Sequence, residues 1–413
     1  MAAVALASCS NDETVAEYQG EAISFRPFVN NVTRAADITD GSAATDLQGL
    51  GFWVTAIHSA ANTTYINDQH FTWDGTSSTY TSTPKYYWPA TGTLEFFAYA
   101  PTAVSNAQLS KTSHLAFTVT PSQTIAQQID LVYANTDGKT KTGTYTKGDD
   151  TKQFGADGVP LNFRHTGSKI VIKVKNSVEN NLKFEITGWK LANVDGQATF
   201  TYNNAAVASS GDETTDTKNA KQLLYEDWSN NTVAVETEVS YTSADITANV
   251  IDKQQTTAYY LKSTGGTVSG ETTTLSSEVA NEDQSLNMIL IPQRTSATTQ
   301  YSGAATNDAA TTGSYIALKM VIKNSSDDVV IADASTTVGE HTKWAMWPVA
   351  FTWDPGKKYT YTIDLAGGGY WEINDDTDQA LDPILENAEI KFVDVTVDNW
   401  IDATGIADVT GGI

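Results

Sequence analysis

Cysteine, arginine and histidine are all scarce in this sequence. Its 413 residues include one cysteine, four arginines and five histidines, and acidic residues outnumber basic ones by 49 to 25. The lone thiol, Cys9, can close no intrachain disulfide and cannot build a zinc site of several thiolates. A net charge of −24 argues against nucleic acid, whose phosphates need a basic face; it reads as a soluble, self-repelling exterior. No stretch reaches the ~20 continuous apolar residues of a transmembrane helix. The histidines (His58, His70, His114, His165 and His341) are scattered without metal-ligand spacing. His165, between Phe163 and a Gly-Ser turn, reads as a structural, hydrogen-bonded histidine. There is no HExxH, no nucleotide loop and no Ser/His/Asp set. Asn374-Asp375-Asp376-Thr377-Asp378 lacks the glycine and closing glutamate of a calcium loop. Nothing in these residues points to a metal or a cofactor, and neither is expected.

What the chain does have is threonine, serine, asparagine, glycine, tyrosine and tryptophan in short alternating runs, the composition of an all-β protein. Strands are expected at Gly51–Ala56, Phe71–Trp73, Tyr86–Pro89, Leu94–Pro101 and Leu115–Val119, with Asp74-Gly75 as a turn. Pro89 and Pro101 sit at strand ends, where a missing N–H is tolerated. Residues 135–158 are polar and glycine-rich and mark a boundary. Beyond them Val159–His165 opens a second unit. Lys169–Lys175 alternates, with Ile170, Ile172 and Val174 on one face and lysines on a face turned to water. Asn287–Pro292 and Tyr315–Ile322 read as buried strands, Phe351–Ile363 as a strand pair around a Pro-Gly turn, and Ile390–Val397 as the last strand. Most tryptophans alternate with small residues, a core-packing pattern rather than a sugar-binding one. Two β-sandwiches in series fit the whole.

The N-terminus accounts for the cysteine. Ala2–Ala7 is a short apolar run ending in small residues, like the back half of a signal peptide without its basic front. Leu6-Ala7-Ser8-Cys9 resembles a bacterial lipobox, which makes Cys9 the expected site of lipidation. Ser10-Asn11-Asp12-Glu13 resembles the acidic signal that sends Bacteroidetes lipoproteins to the cell surface. The expected association with the membrane is therefore an anchor rather than a span.

The strands carry a further resemblance. Tyr87-Trp88-Pro89 followed by Leu94–Pro101, then Leu161–His165 with Ile170-Val171-Ile172, then Phe351–Ile363, then Val395–Trp400, resemble in order and spacing the Bacteroidetes fimbrillin family, the Mfa-like and FimA-like type V pilins. That resemblance implies two tandem transthyretin-like β-sandwich domains, a structural role in surface fimbriae and no enzymatic activity. It also implies a lipid-anchored precursor whose first strand is removed by an arginine-specific protease, the emptied groove then taking a strand from a neighbouring subunit. Carried over to these residues, cleavage falls at Arg34-Ala35, the one arginine in small, polar surroundings ahead of the first domain. An ordinary linker arginine is the alternative. The removable strand lies around Ala22–Val29, with Ile23 and Phe25 filling the groove. The domains are then a truncated signal peptide at 1–9, a leader at 10–37, an N-terminal sandwich at 38–157, a C-terminal sandwich at 158–400 and a tail at 401–413.

In that tail Ile401, Ala403, Gly405, Ala407, Val409, Gly411 and Ile413 form an apolar or small face opposite mainly Asp and Thr. It reads as a donor strand, with a frayed terminus as the alternative. The expected partners are other copies or related pilins, the protease, and a host or bacterial surface receptor. The other functional classes are a glycan- or host-binding surface lipoprotein that does not polymerise, and a pilus-tip adhesin.

Overall fold

The structure is a computed structural model. It describes residues 22–29, 47–58, 61–76, 79–89, 92–102, 107–123, 125–139, 158–179, 181–202, 223–229, 239–243, 249–261, 266–269, 287–296, 313–331, 345–367, 370–371 and 394–399. The protein is all-β. In chain order the strands are β1 (Phe25–Val29), β2 (Phe52–His58), β3 (Thr63–Asp74), β4 (Thr79–Thr81), β5 (Leu94–Ala100), β6 (Leu109–Lys111), β7 (Ala116–Val119), β8 (Val132–Lys139), β9 (Val159–His165), β10 (Ser168–Asn176), β11 (Lys183–Val194), β12 (Ala198–Thr201) and β13 (Trp228–Ser229). They continue as β14 (Val239–Ser243), β15 (Asn249–Asp252), β16 (Gln255–Tyr260), β17 (Gly266–Ser269), β18 (Met288–Leu290), β19 (Tyr315–Lys323), β20 (Val329–Ile331), β21 (Ala345–Pro348), β22 (Lys357–Asp364), β23 (Tyr370–Trp371) and β24 (Asp394–Asn399).

The first half is a closed barrel in the order β1-β4-β3-β2-β5-β8-β9. Alternation decides what fills it. Phe52, Val54 and Ala56 of β2, Leu94, Phe96 and Ala98 of β5, and Val132 and Ala134 of β8 point inward to one core. Their neighbours Phe97, Tyr99 and Tyr133 point outward, yet they are buried as well. A four-stranded sheet, β13-β12-β7-β6, lies over them and supplies Phe117, Phe200, Tyr202 and Trp228. Burial on both faces is why β5 reads LEFFAYA with almost no polar residue. In the covering sheet β7, from before residue 158, pairs with β12, from after it.

In the second half, β10, β16, β18, β22 and β24 form one sheet, and β11, β14, β15, β17, β19, β20, β21 and β23 form another. Ile170, Ile172 and Val174 of β10, with Tyr359, Tyr361 and Ile363 of β22, share one core with Phe184, Ile186, Trp189, Ile316, Leu318 and Trp347 of the facing sheet.

Four expectations differ from what is observed. Strand β9 pairs with β8 and β1 and so completes the first barrel; it does not open the second unit. The opposite face of β10 is not simply wet, because Lys169 and Val171 on it are fully buried. Tyr86–Pro89 forms only an isolated bridge, Ala22 to Tyr87. Phe351–Trp353 is not hairpin-paired with β22. Its backbone bonds run to the 293–295 segment, Trp353 N–H to Gln293 O at 2.9 Å and Thr295 N–H to Phe351 O at 2.9 Å. Pro355-Gly356 therefore links different neighbours, and Trp353 meets β22 only through its side chain, Nε1–H to Tyr361 Oη at 2.8 Å.

Candidate functional site: the leader strand in the barrel wall

Strand β1 is the one piece of the leader within the described residues, and it closes the barrel between β9 and β4. Its two edges are held differently. Along β9 it makes a parallel ladder from Phe25↔Val159 to Val29↔Phe163. Along β4 one pair is seen among the described residues, Phe25↔Tyr80. Backbone direction assigns a different set of residues to each edge. Val159 N–H donates to Ser24 O at 2.8 Å, so residues 24, 26 and 28 face β9, while 23, 25 and 27 face the other edge. On that edge Ile23 N–H reaches Tyr86 O at 2.7 Å and Phe25 pairs with Tyr80. Pro27, the next residue to face this edge, has no N–H to donate to it.

The side chains fix β1 more firmly than that edge does. Ile23 and Phe25 are buried in the barrel core. The Phe25 ring is fully buried and meets three other rings edge-on: Phe71 at 4.7 Å, Phe96 at 5.1 Å and Phe52 at 5.9 Å between centroids, with interplanar angles of 90°, 87° and 79°. Edge-to-face pairs of this kind add ~0.5–1.5 kcal/mol each to the area they bury. Gly158 lets the backbones come this close. At φ +79° it adopts a left-handed conformation, and a Cβ there would lie 3.0 Å from Phe25 C and 3.2 Å from its Cα and N.

Residues 33–241, just over half of the chain, match the family model described as fimbrillin-like. The chain belongs to the fimbrillin-like family. It is a family of fimbrial structural and adhesion proteins rather than enzymes, and it implies a place at the cell surface. No curated protein sequence matches this fimbrillin-like chain. Among solved structures, a fimbrial protein from Bacteroides vulgatus is 13% identical, with 91% of this chain and 99% of that one covered and a TM-score of 0.46. The tip fimbrial protein Mfa3 from Porphyromonas gingivalis, with a C-terminal truncation, is 10% identical, with 85% and 94% covered and a TM-score of 0.31. At these identities and scores no conclusion rests on either; the family model carries the assignment.

Of the site residues expected from sequence, Ile23 and Phe25 are therefore brought together in one core. Cys9, Arg34, Ala35 and the tail residues Ile401, Ala403, Gly405, Ala407, Val409 and Ile413 lie outside the described residues. His165 is a buried structural histidine, with Nδ1 2.6 Å from Asp130 Oδ2. His114 packs on Phe97 at 4.7 Å. Burial lowers its pKa, and the nearby Lys111 ammonium acts in the same direction. Burial raises the Tyr99 pKa, and Asp68, which accepts its hydroxyl hydrogen bond at 3.1 Å, raises it further. Lys111 also pairs with Asp68, tying the covering sheet to β3. Among the described residues no group of three or more His, Cys, Asp or Glu could hold a metal, and no helix is long and apolar enough to cross a membrane. Sequence reasoning missed Phe52, Phe71 and Phe96 as the walls around Phe25, and it missed Gly158. The alternation FxVxA of β2 signals an inward Phe52, but which rings meet across a barrel depends on register between distant strands.

Proposed function

We propose that this fimbrillin-like chain is a structural pilin subunit whose barrel is completed first by its own leader strand and later by a strand from another subunit. In this reading Cys9 carries the lipid that anchors the precursor in the outer membrane. An arginine-specific protease cuts at Arg34-Ala35, β1 leaves with Ile23 and Phe25, and a donor strand is added to the exposed edge of β9. The tail, with Ile401, Ala403, Gly405, Ala407, Val409 and Ile413 on one face, is the donor to the next subunit's groove. Thirteen residues at ~3.3 Å each span roughly 43 Å, enough to cross a sandwich domain.

The observation that best supports the reading is the seating of β1: a parallel ladder along β9 and an apolar plug, Ile23 and Phe25, in the barrel core. A strand so held leaves behind one intact parallel edge and one apolar slot. The test is electron microscopy of purified protein with and without an arginine-specific protease. Filaments should form after cleavage of the wild type, while Arg34→Ala stays monomeric. Filaments from the protease-treated Arg34→Ala protein would refute the trigger.

A further inference from the structure

We infer that the place of Phe25 is a selectivity pocket for an aromatic ring, so that the groove left by β1 takes a strand from a related subunit with phenylalanine or tyrosine there in preference to residues 401–413 of an identical copy. The inference rests on the replacement of β1 proposed above, and it concerns which chain supplies the strand.

Three rings, those of Phe52, Phe71 and Phe96, present themselves around one position, each nearly perpendicular to the Phe25 ring. Such a site rewards a flat ring whose edges and faces all find partners. An aliphatic side chain in the same place loses those contacts and leaves a void, since close-packed walls collapse only partly. The backbone path is fixed as well. Residues 159, 161 and 163 of β9 face the incoming strand, as the Val159 N–H bond to Ser24 O shows. Gly158 admits that strand's backbone to contact distance at the pocket itself. The occupant that fits is an extended segment running parallel to β9, with an aliphatic residue at the place of Ile23 and an aromatic one two residues on. Residues 401–413 contain no aromatic residue, and their largest side chains are isoleucines. The tail of an identical copy would leave the three rings without their partner. Where a related subunit carries the ring its strand is taken first, and copies of this chain by themselves join more weakly.

The test uses the full chain cleaved at Arg34 and four fluorescein-labelled peptides read by anisotropy. The peptides are residues 21–29, the same peptide with Phe25→Leu, the same with Phe25→Ala, and residues 401–413. The Phe25→Ala peptide should bind on the order of a hundredfold more weakly than the native one, and the Phe25→Leu and tail peptides about tenfold more weakly. Gly158→Asn tolerates the left-handed backbone but puts a Cβ against the incoming strand. It should weaken all four peptides, and unchanged binding would place them elsewhere and overturn the pocket. Equal affinities for the native, Phe25→Ala and tail peptides would likewise overturn the pocket while leaving strand replacement standing. If no peptide enters the cleaved protein, strand replacement itself falls, and the pocket with it.

Discussion

Phe25→Ala in the intact, uncut chain asks whether the leader strand is held by its plug or by its ladder. The side chain is fully buried and meets three rings edge-on. Removing a phenylalanine from such a site costs ~3–5 kcal/mol, because its transfer energy is lost and the rings around it cannot close the void. The loss need not spread through the barrel. The β4 edge of β1 has a single pair among the described residues, so β1 can open from that side while Phe97, Tyr99 and Tyr133 on the outer faces of β5 and β8 stay buried under the covering sheet. The population with β1 open should then rise by between about a hundredfold and several thousandfold. Native-state hydrogen exchange reads this directly. The Val159 amide, bonded to Ser24 O, should lose protection by that factor, while the amides of β11 and β19 in the second half keep theirs. If Val159 protection falls less than tenfold, Phe25 is not what holds the leader. If protection falls equally throughout, β1 is part of the global fold and not a separately removable piece.

Three further predictions concern other parts of the chain. A fatty-acid analogue fed to cells should label the wild type and not Cys9→Ala; equal labelling would remove the lipid anchor. Deleting residues 401–413 should leave a folded monomer that cannot donate a strand, and Val409→Asp should weaken assembly in the same direction; normal filaments from the deletion would return the tail to an ordinary terminus. The third is pH-dependent. His114 has a folded pKa below its ordinary 6.5, so the unfolded chain binds the extra proton first. Its contribution to stability is present above about pH 6.5 and is lost as pH falls from there through the lower folded pKa. Urea unfolding of His114→Gln should show a flatter decline between pH 7 and 5 than the wild type, and parallel curves would exclude His114 as a source of the slope.

How far the sequence could be read depends on whether a feature is local. Alternation along one strand is local, which is why Leu94–Ala100, Tyr315–Lys323 and the inward set Ile170, Ile172 and Val174 were legible. Burial of the second face is not local. Lys169 has the same sequence signature as a solvated lysine, yet in the fold it is fully buried. Partner choice is not local either. Val159–His165 has the composition of a strand, but nothing within it says that it pairs with Phe25–Val29 instead of its neighbour β10. Phe351–Trp353 was misread for the same reason: a Pro-Gly turn predicts a reversal of the chain, not which strands lie on either side. The candidate site combines both kinds of information. Ile23 and Phe25 alternate visibly, and Pro27 shows where one edge lacks an N–H. The three rings come from β2, β3 and β5, and Gly158 from a segment 133 residues downstream of Phe25. The leader could therefore be read as a strand from its own residues, whereas the slot it fills exists only once β2, β3, β5 and β9 have been brought into register around it.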